Sequence, residues 1–369
     1  MRFSCEKETL NEAIAVCIHA VSSKTTSPVM EGLLIKAESD VTMCGFNYKT
    51  GIQRTFAASV YETGAAVLSA RILQDIVRKL PDDIVEIIVD ERLMATIKCA
   101  ASEFNIIASD AQEFPEMPAV TKEGGLSVPN LTLKEMIGGT IFAVCENENK
   151  PIITGSLFET EGNILRLVSV DGYRLAVRQT KLEEAPPRDF SFVVPGETLK
   201  EIYRILPDDE EICIISPQRK QALFEFAGTL VNTRLLEGEF LNWKAAIPQE
   251  QPVSIRINKT ELVEAVERVS LIISERLKNP VRCLFEGTSL KLSCITALGR
   301  SYDECRIPDA GPAIEIGFNN RYLLDALRAC PDEELVLGLK SGLSPCTMKP
   351  VEGDQFLYLV LPVRLKAGE

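Results

Sequence analysis

The sequence has 369 residues, 46% of them hydrophobic and 25% charged, which favours two or three globular domains with a sizeable core. No apolar run reaches the ~18 residues of a membrane-spanning helix, and no apolar signal-peptide core follows Met1, so we expect a cytoplasmic protein. The formal net charge of −13 argues against a simple nucleic-acid-binding domain, which is usually basic, although a local basic stripe can coexist with an acidic surface.

The first predicted elements are a helix, a group of strands and a second helix. Residues 7–21 have helical periodicity. The apolar face of this helix consists of Leu10, Ile14, Cys17 and Ile18. A strand-like run begins at Gly32, and a second helix-like stretch runs from Arg71 to Pro81. Further short strands are predicted over residues 86–89, 93–98 and 104–108. This order predicts an α+β domain with its helices on one face of a sheet.

The stretch that ends at Pro81 recurs twice along the chain. Residues 71–83, 198–209 and 321–333 each form a helix-like segment that ends in a proline followed by acidic residues. These prolines, Pro81, Pro207 and Pro331, lie 126 and 124 residues apart. A helical motif that begins at residues 8, 131 and 260 and a strand motif around Ile35, Phe158 and Phe285 recur with nearly the same period. Three motifs in one register indicate three copies of one structural unit.

Each repeat has the size of a domain rather than of a solenoid unit. Segments with prolines or glycines, at 114–118, 122–125 and 248–252, separate the repeats, as expected for linkers between compact domains. The sequence therefore predicts three domains, over residues 1–120, 127–248 and 253–366.

An arginine stands three residues before each repeat proline, at Arg78, Arg204 and Arg328. Helical spacing places a second cation on the same face of each helix, namely Arg71, Lys200 and Arg321. The opposite faces are predicted to be apolar and carry Leu73, Ile76 and Val77, then Leu199, Ile202 and Tyr203, then Leu323, Ala326 and Leu327. Such cations can cap a helix end or bind phosphates without reading sequence, and both interpretations stay open at this point.

The sequence offers little for catalysis. His19 is its only histidine, and neither a phosphate-binding loop motif nor a dinucleotide-binding motif is present. The eleven cysteines include no C-x-x-C pair, so we expect reduced, buried thiols. Paired acids such as Asp82 and Asp83 follow helices, where turn chemistry explains them. We expect no cofactor, no metal and no enzymatic activity.

Two further segments carry a resemblance to a known family. The run from Gly172 to Val177 (GYRLAV) and the ending from Tyr358 to Leu365 (YLVLPVRL), together with the threefold repeat, resemble the bacterial DNA polymerase III β subunit, the β sliding clamp. The resemblance covers the whole chain. It implies three tandem DNA-clamp domains, each with two helices packed on antiparallel sheets. Two such chains would join head to tail in a ring around duplex DNA.

The resemblance also implies a pocket for short peptides of the replicative polymerase, the clamp loader and other replication or repair proteins. Its inner part would involve Ile153, Val170, Gly172, Tyr173, Arg174, Leu175, Leu241, Ala246, Leu359 and Leu361. Its outer part would involve Asn319, Tyr322, Leu343, Pro345, Pro362, Val363 and Arg364. Leu361 and Val363 stand where the family often has methionine, Leu241 where it often has proline, and Ala246 where it has a larger residue, so we expect a reshaped pocket. Residues 366–369 extend past the usual end of the family, next to this pocket.

For duplex DNA, the resemblance implies contacts from the loop residues Lys24 and Lys150 in addition to the basic helix faces. The predicted DNA-binding set is Lys24, Arg71, Arg78, Lys150, Lys200, Arg204, Arg321 and Arg328. At the interface of the homodimer, Phe104 and Ile106 would meet Ile272 and Ile273. Two alternatives stay open: a scaffold of the same fold that does not encircle DNA, and an enzyme that uses carboxylates and a metal.

Overall fold

The structure is a computed structural model that describes residues 1–22, 27–118, 124–274 and 279–365. Its α-helices are α1 (Lys7–Cys17), α2 (Ala70–Lys79), α3 (Asn130–Gly138), α4 (Gly196–Ile205), α5 (Lys259–Ser270) and α6 (Asn320–Ala329). The strands of the first repeat are β1 (Arg2–Glu6), β2 (Gly32–Ala37), β3 (Val41–Phe46), β4 (Thr50–Phe56), β5 (Ser59–Glu62), β6 (Gly64–Ser69), β7 (Ile84–Val89), β8 (Met94–Cys99), β9 (Ser102–Ile107) and β10 (Ser109–Asp110).

The second and third repeats each contribute eight strands within the described ranges. Those of the second are β11 (Leu126–Pro129), β12 (Gly155–Glu161), β13 (Ile164–Val170), β14 (Arg174–Lys181), β15 (Ser191–Pro195), β16 (Ile212–Pro217), β17 (Gln221–Phe226) and β18 (Thr229–Arg234). Those of the third are β19 (Val253–Asn258), β20 (Val281–Glu286), β21 (Ser289–Thr296), β22 (Gly299–Arg306), β23 (Ile314–Phe318), β24 (Glu334–Leu339), β25 (Cys346–Pro350) and β26 (Phe356–Val360).

The chain forms two compact units. The first, unit 1, contains Met1–Leu133 and Lys200–Leu235, with a five-stranded sheet in the order β5-β1-β7-β8-β9 and a nine-stranded sheet in the order β10-β6-β2-β3-β4-β18-β17-β16-β11. The second, unit 2, contains Lys134–Leu199 and Leu236–Glu369. Its sheets have eight strands, β15-β12-β13-β14-β26-β25-β24-β19, and four strands, β22-β21-β20-β23. The large sheet of each unit joins strands from two successive repeats.

The predicted threefold repeat and its α+β class are confirmed in the order of the elements. The first helix of each repeat follows β1, β11 or β19, and the second follows β6, β15 or β23. Each second helix ends two residues before the repeat proline, at Lys79, Ile205 and Ala329, because proline cannot continue a helix. The domain boundaries given above stay predictions.

The second helices are amphipathic as their spacing predicts. On α2, Leu73, Ile76 and Val77 are buried while Arg71 and Arg78 are exposed. The prediction was wrong for Tyr203 on α4, which is 41% exposed, since a tyrosine keeps its hydroxyl end at the surface. Burial of each full apolar side chain contributes roughly 1.5–3 kcal/mol.

The eleven cysteines are free thiols buried in the core, as the sequence predicts. Burial raises the pKa of the Cys305 thiol to about 11 and that of Cys5 to about 12, because a thiolate is poorly solvated there. None of the helices in the described ranges has the length and apolar character needed to cross a bilayer.

Candidate functional sites: an apolar groove, basic helix faces and two sheet edges

An apolar surface of unit 2, called the groove below, lies on the sheet where β14 joins β13 and β26. Leu175 pairs with Val170 on one side and with Leu359 on the other. Gly172, at φ +92°, allows the turn between β13 and β14, because this conformation is costly for other residues. Asp171 fixes that turn by accepting hydrogen bonds from the backbone N–H groups of Tyr173 and Arg174 at 2.9 and 3.0 Å.

An apolar cluster fills this part of the sheet. Its buried members are Leu157, Val168, Leu175, Val177, Val193 and Leu359, and its partly buried members are Ile152, Val170, Leu236, Phe240, Trp243, Ile247, Leu357 and Leu361. Four residues of the predicted inner pocket, Val170, Leu175, Leu359 and Leu361, therefore come together. The partly buried members leave apolar surface that a partner side chain can cover.

The linker between the second and third repeats contributes Phe240, Trp243 and Ile247 to this cluster, and none of the three was predicted. Leu241 is 52% exposed and Ala246 is exposed, so their place in the pocket stays a prediction. The indole N–H of Trp243 donates to Glu159 Oε2 at 3.2 Å. A signal for this anchor was present in the sequence, since Trp243 is the only tryptophan of the chain. Ile153 is buried next to Ile152 of the cluster.

Arg174 is a buried cation at the polar end of the groove. Its Nε donates to Asp171 Oδ2 at 2.9 Å and its Nη1 to Asp325 Oδ2 at 2.6 Å. The guanidinium also lies 4.6 Å from the ring centroid of Tyr322, which stacks on the exposed Tyr173 with centroids 5.7 Å apart. Arg174 thus joins the turn before β14 to α6.

A cleft of about 390 Å³ adjoins this cluster. It is lined by Val144, Cys145, Glu146, Asn147, Lys150, Asp171, Tyr173, Arg174, Arg321 and Tyr322. Lys150 and Arg321, two of the predicted DNA-binding residues, lie in this cleft together with Tyr173 and Tyr322 of the predicted pocket. The cleft is therefore polar and charged, whereas the groove beside it is apolar.

The predicted outer residues have mixed environments. The side chain of Asn319 caps α6 by accepting from the N–H groups of Arg321 and Tyr322 at 3.0 and 3.3 Å, which satisfies free donors at the helix start. Val363 bridges to Gly317 through its N–H at 2.8 Å. Leu343 is 72% exposed. Pro345 and Pro362 are half-buried and Arg364 is exposed, while residues 366–369 lie outside the described residues.

The basic faces of α2, α4 and α6 are exposed as predicted. Two of the three repeat arginines have carboxylate partners: Arg204 donates to Glu201 at 2.7 Å, and Arg328 to Glu267 at 2.5 Å. The other oxygen of Glu201 lies 2.5 Å from Nδ1 of His19. Exposed ion pairs of this kind contribute little to stability, so these arginines are available to exchange partners. Lys24 lies outside the described residues, and Lys150 is exposed.

One predicted interface region lies on a sheet edge, at β9, and the other follows α5, whose end is joined to the edge strand β22 by the hydrogen bond from Ser301 to Val269. β9 is the last strand of the five-stranded sheet and β22 the last strand of the four-stranded sheet. On β9, Phe104 is 39% and Ile107 is 81% exposed, while Ile106 is half-buried. An edge strand with exposed apolar side chains is prone to pair with another chain.

The second of these edges has its own exposed apolar residues. Leu271, after α5, is 84% exposed and Leu298, before β22, is 81% exposed. The neighbouring Ile272 and Ile273 are half-buried. Leu271, Leu298 and Ile107 were not predicted, although large apolar residues in or beside turns are a usable signal for an interface.

A metal-binding site was also searched for among the described residues. Within the described ranges, no group of three or more His, Cys, Asp or Glu side chains is arranged to hold a metal ion.

Comparison with known proteins covers the whole chain. Family models for the N-terminal, central and C-terminal domains of the DNA polymerase III beta subunit match residues 1–118, 127–242 and 244–364. The beta sliding clamp of Bacillus subtilis is 31% identical over 376 residues, which cover 99% of this chain and 100% of that protein. The beta sliding clamp of Synechococcus elongatus is 29% identical over 377 residues, which cover 100% of both.

Solved structures agree with these sequence matches. The crystal structure of the DNA polymerase sliding clamp from Bacillus subtilis has a TM-score of 0.95 and 30% identity, and covers 99% of this chain and 100% of that one. The DNA polymerase III beta subunit from Thermotoga maritima has a TM-score of 0.92 and 25% identity, with the same coverage.

Proposed function

Because the chain belongs to the DNA polymerase III beta subunit family, we propose that two copies close head to tail into a ring around duplex DNA. The protein is a sliding clamp, a processivity factor for DNA replication without catalytic activity of its own. The proposed ring acts on chromosomal DNA in the bacterial cytoplasm. The observation that carries the proposal is the exposed arginine at one fixed position in each of three repeats.

The arginines explain how an acidic protein can hold DNA. The net charge is −13, yet α2, α4 and α6 each present exposed cations on the face opposite their buried residues. Cations that contact phosphates neutralise DNA without reading its sequence. A clamp needs this kind of contact because it must move along DNA.

The two sheet edges support a homodimer. The sheet edge at β9, with Phe104, Ile106 and Ile107, differs from the surface with Leu271–Ile273 and Leu298, so a contact between them is heterologous. A heterologous contact either closes into a ring or grows into a filament. With three domains in each chain, closure by two copies produces a ring of six similar domains.

The groove of unit 2 is proposed to receive short peptides of the polymerase, the clamp loader and other partners. Each Leu or Phe side chain that a partner buries there contributes roughly 1.5–3 kcal/mol before ordering costs. Arg174 and its two carboxylates keep the groove in shape before the peptide arrives, which reduces those costs.

Retention on DNA tests the ring. Protein loaded onto circular plasmid by a clamp loader is expected to stay bound through a gel-filtration column and to be lost once the plasmid is cut. Equal loss from both forms contradicts encirclement and favours the scaffold. A mass measurement at micromolar concentration provides a second test, in which a monomer contradicts the homodimer.

A further inference from the structure

The large sheet of unit 1 contains a second copy of the groove. Strands β2, β3, β4 and β18 pair in the same register as β12, β13, β14 and β26, which aligns the pair Leu34–Cys44 with the pair Leu157–Val168. Further along the same strands, Gly51 pairs with Phe46 and with Asn232. The aligned trio in unit 2 is Val170, Leu175 and Leu359, at the centre of the groove proposed for partners.

This second groove is occupied by the chain itself. Phe114 and Met117, from the segment 114–118 that follows the first repeat, pack in one apolar cluster with Leu34, Cys44 and Phe46. The thiol of Cys44 lies 3.4 Å from the sulfur of Met117. A β-carbon added to Gly51 would lie 2.3 Å from that sulfur, so the methionine occupies the space that the side chain of Leu175 fills in unit 2.

The backbone of the segment is held as well. The side-chain amide of Asn232 donates to the carbonyl of Pro118 at 2.7 Å, at the position where unit 2 has Leu359. Unit 1 has Gly51 and Asn232 where unit 2 has Leu175 and Leu359. The glycine leaves room for the side chain of Met117, and the asparagine donates to the carbonyl of Pro118. A cavity of about 730 Å³ remains between the sheet and the segment and is lined by residues of both.

We propose that the first repeat carries a second peptide groove, which residues 114–118 occupy in cis, so that each chain offers its partners one groove and not two. The inference rests on the proposed partner groove of unit 2. A tethered segment acts at an effective concentration on the order of millimolar, so a free peptide present at micromolar concentration does not displace it.

The test converts the occupied groove into an open one. The double variant Gly51→Leu/Asn232→Leu gives unit 1 the leucine pair that unit 2 has at Leu175 and Leu359, and it leaves no room for Met117. A fluorescently labelled hexapeptide that ends in Leu-Phe is the probe, and the number bound per chain is measured by titration at concentrations well above the dissociation constant. The wild type is expected to bind one peptide per chain, and the double variant two, with faster proteolytic cleavage between residues 111 and 124.

Two further variants keep the result interpretable. Met117→Ala removes the side chain that lies over Gly51 without changing the sheet, and it is expected to show the same faster cleavage and to bind a second peptide per chain. Glu116→Gln changes an exposed side chain of the same segment and is expected to bind one peptide per chain, as the wild type does. A stoichiometry of one in both groove-opening variants overturns the proposal.

A variant that blocks the groove of unit 2 distinguishes a failure of this inference from a failure of the proposed function. Leu361→Asp is expected to remove the single site of the wild type and to leave one site in the Gly51→Leu/Asn232→Leu background. If the wild type binds no peptide while the double variant binds one, the partner groove of unit 2 is refuted and the groove of unit 1 stands. If the combined variant binds none, the groove of unit 1 is refuted.

Discussion

Arg174 donates to Asp325 at 2.6 Å, and this single ion pair joins the first residue of β14 to helix α6. Both β14 and α6 carry residues of the proposed partner groove, so the Arg174–Asp325 ion pair fixes the position of the strand relative to the helix. Arg174 also donates to Asp171, so one buried guanidinium binds two carboxylates.

Removal of this cation is expected to destabilise the protein strongly. Arg174→Met removes the nearest cation from both Asp171 and Asp325, and loss of one member of a buried ion pair costs about 3–5 kcal/mol. Urea unfolding measures the change. Arg166→Met is the matched control, because Arg166 pairs with the exposed Glu161. A loss below about 1 kcal/mol in Arg174→Met, within the range of exposed pairs, contradicts the role assigned to Arg174.

Charge reversal on the three repeats is expected to abolish retention on DNA. Arg78→Glu, Arg204→Glu and Arg328→Glu together remove three phosphate contacts. The slope of log affinity against log salt is then expected to fall by about 3. The control reverses three exposed lysines on or beside strands, Lys181, Lys340 and Lys349, with an equal change in net charge. Equal losses in both variants indicate a net-charge effect and refute a specific role for the arginines.

Single charges at either sheet edge are expected to separate the dimer. Ile107→Asp and Leu271→Asp each place a carboxylate among apolar residues of the proposed interface, where burial of an unpaired charge is costly. Sedimentation at micromolar concentration should show monomers. Leu343→Asp changes a leucine that is 72% exposed and outside the proposed interface, and it should leave the dimer intact. A dimer that survives both edge variants argues against this interface.

Trp243 is expected to report peptide binding without any label. It is the only tryptophan and packs at the edge of the groove cluster, so a bound peptide changes the solvent around its indole ring. Titration of a Leu-Phe peptide should shift the emission of the wild type and leave that of Leu361→Asp unchanged. A shift of the same size in both proteins places the peptide elsewhere.

The sequence was sufficient for the repeat, for its helices and for the strands around Ile35, Phe158 and Phe285. These elements depend on local periodicity and on prolines such as Pro81, which end a helix within the same stretch of sequence. The linker anchor Trp243 and the exposed Ile107 depend on which strand lies at a sheet edge and which segment crosses a sheet face. Pairing of this kind joins residues far apart in sequence, and periodicity does not encode it. For the same reason the buried ion pairs of Arg174 were not foreseen.

The buried thiols have a practical consequence for fluorescence measurements on the proposed ring. Since all eleven cysteines are buried in the core, where a reagent in solution does not reach them, the native surface offers no ready target for maleimide dyes. One exposed substitution, such as Glu116→Cys, is then enough to attach a single fluorophore at a chosen place. Energy transfer between two such dyes, one on each side of the proposed dimer contact, can follow opening and closing in real time with the native cysteines left in place.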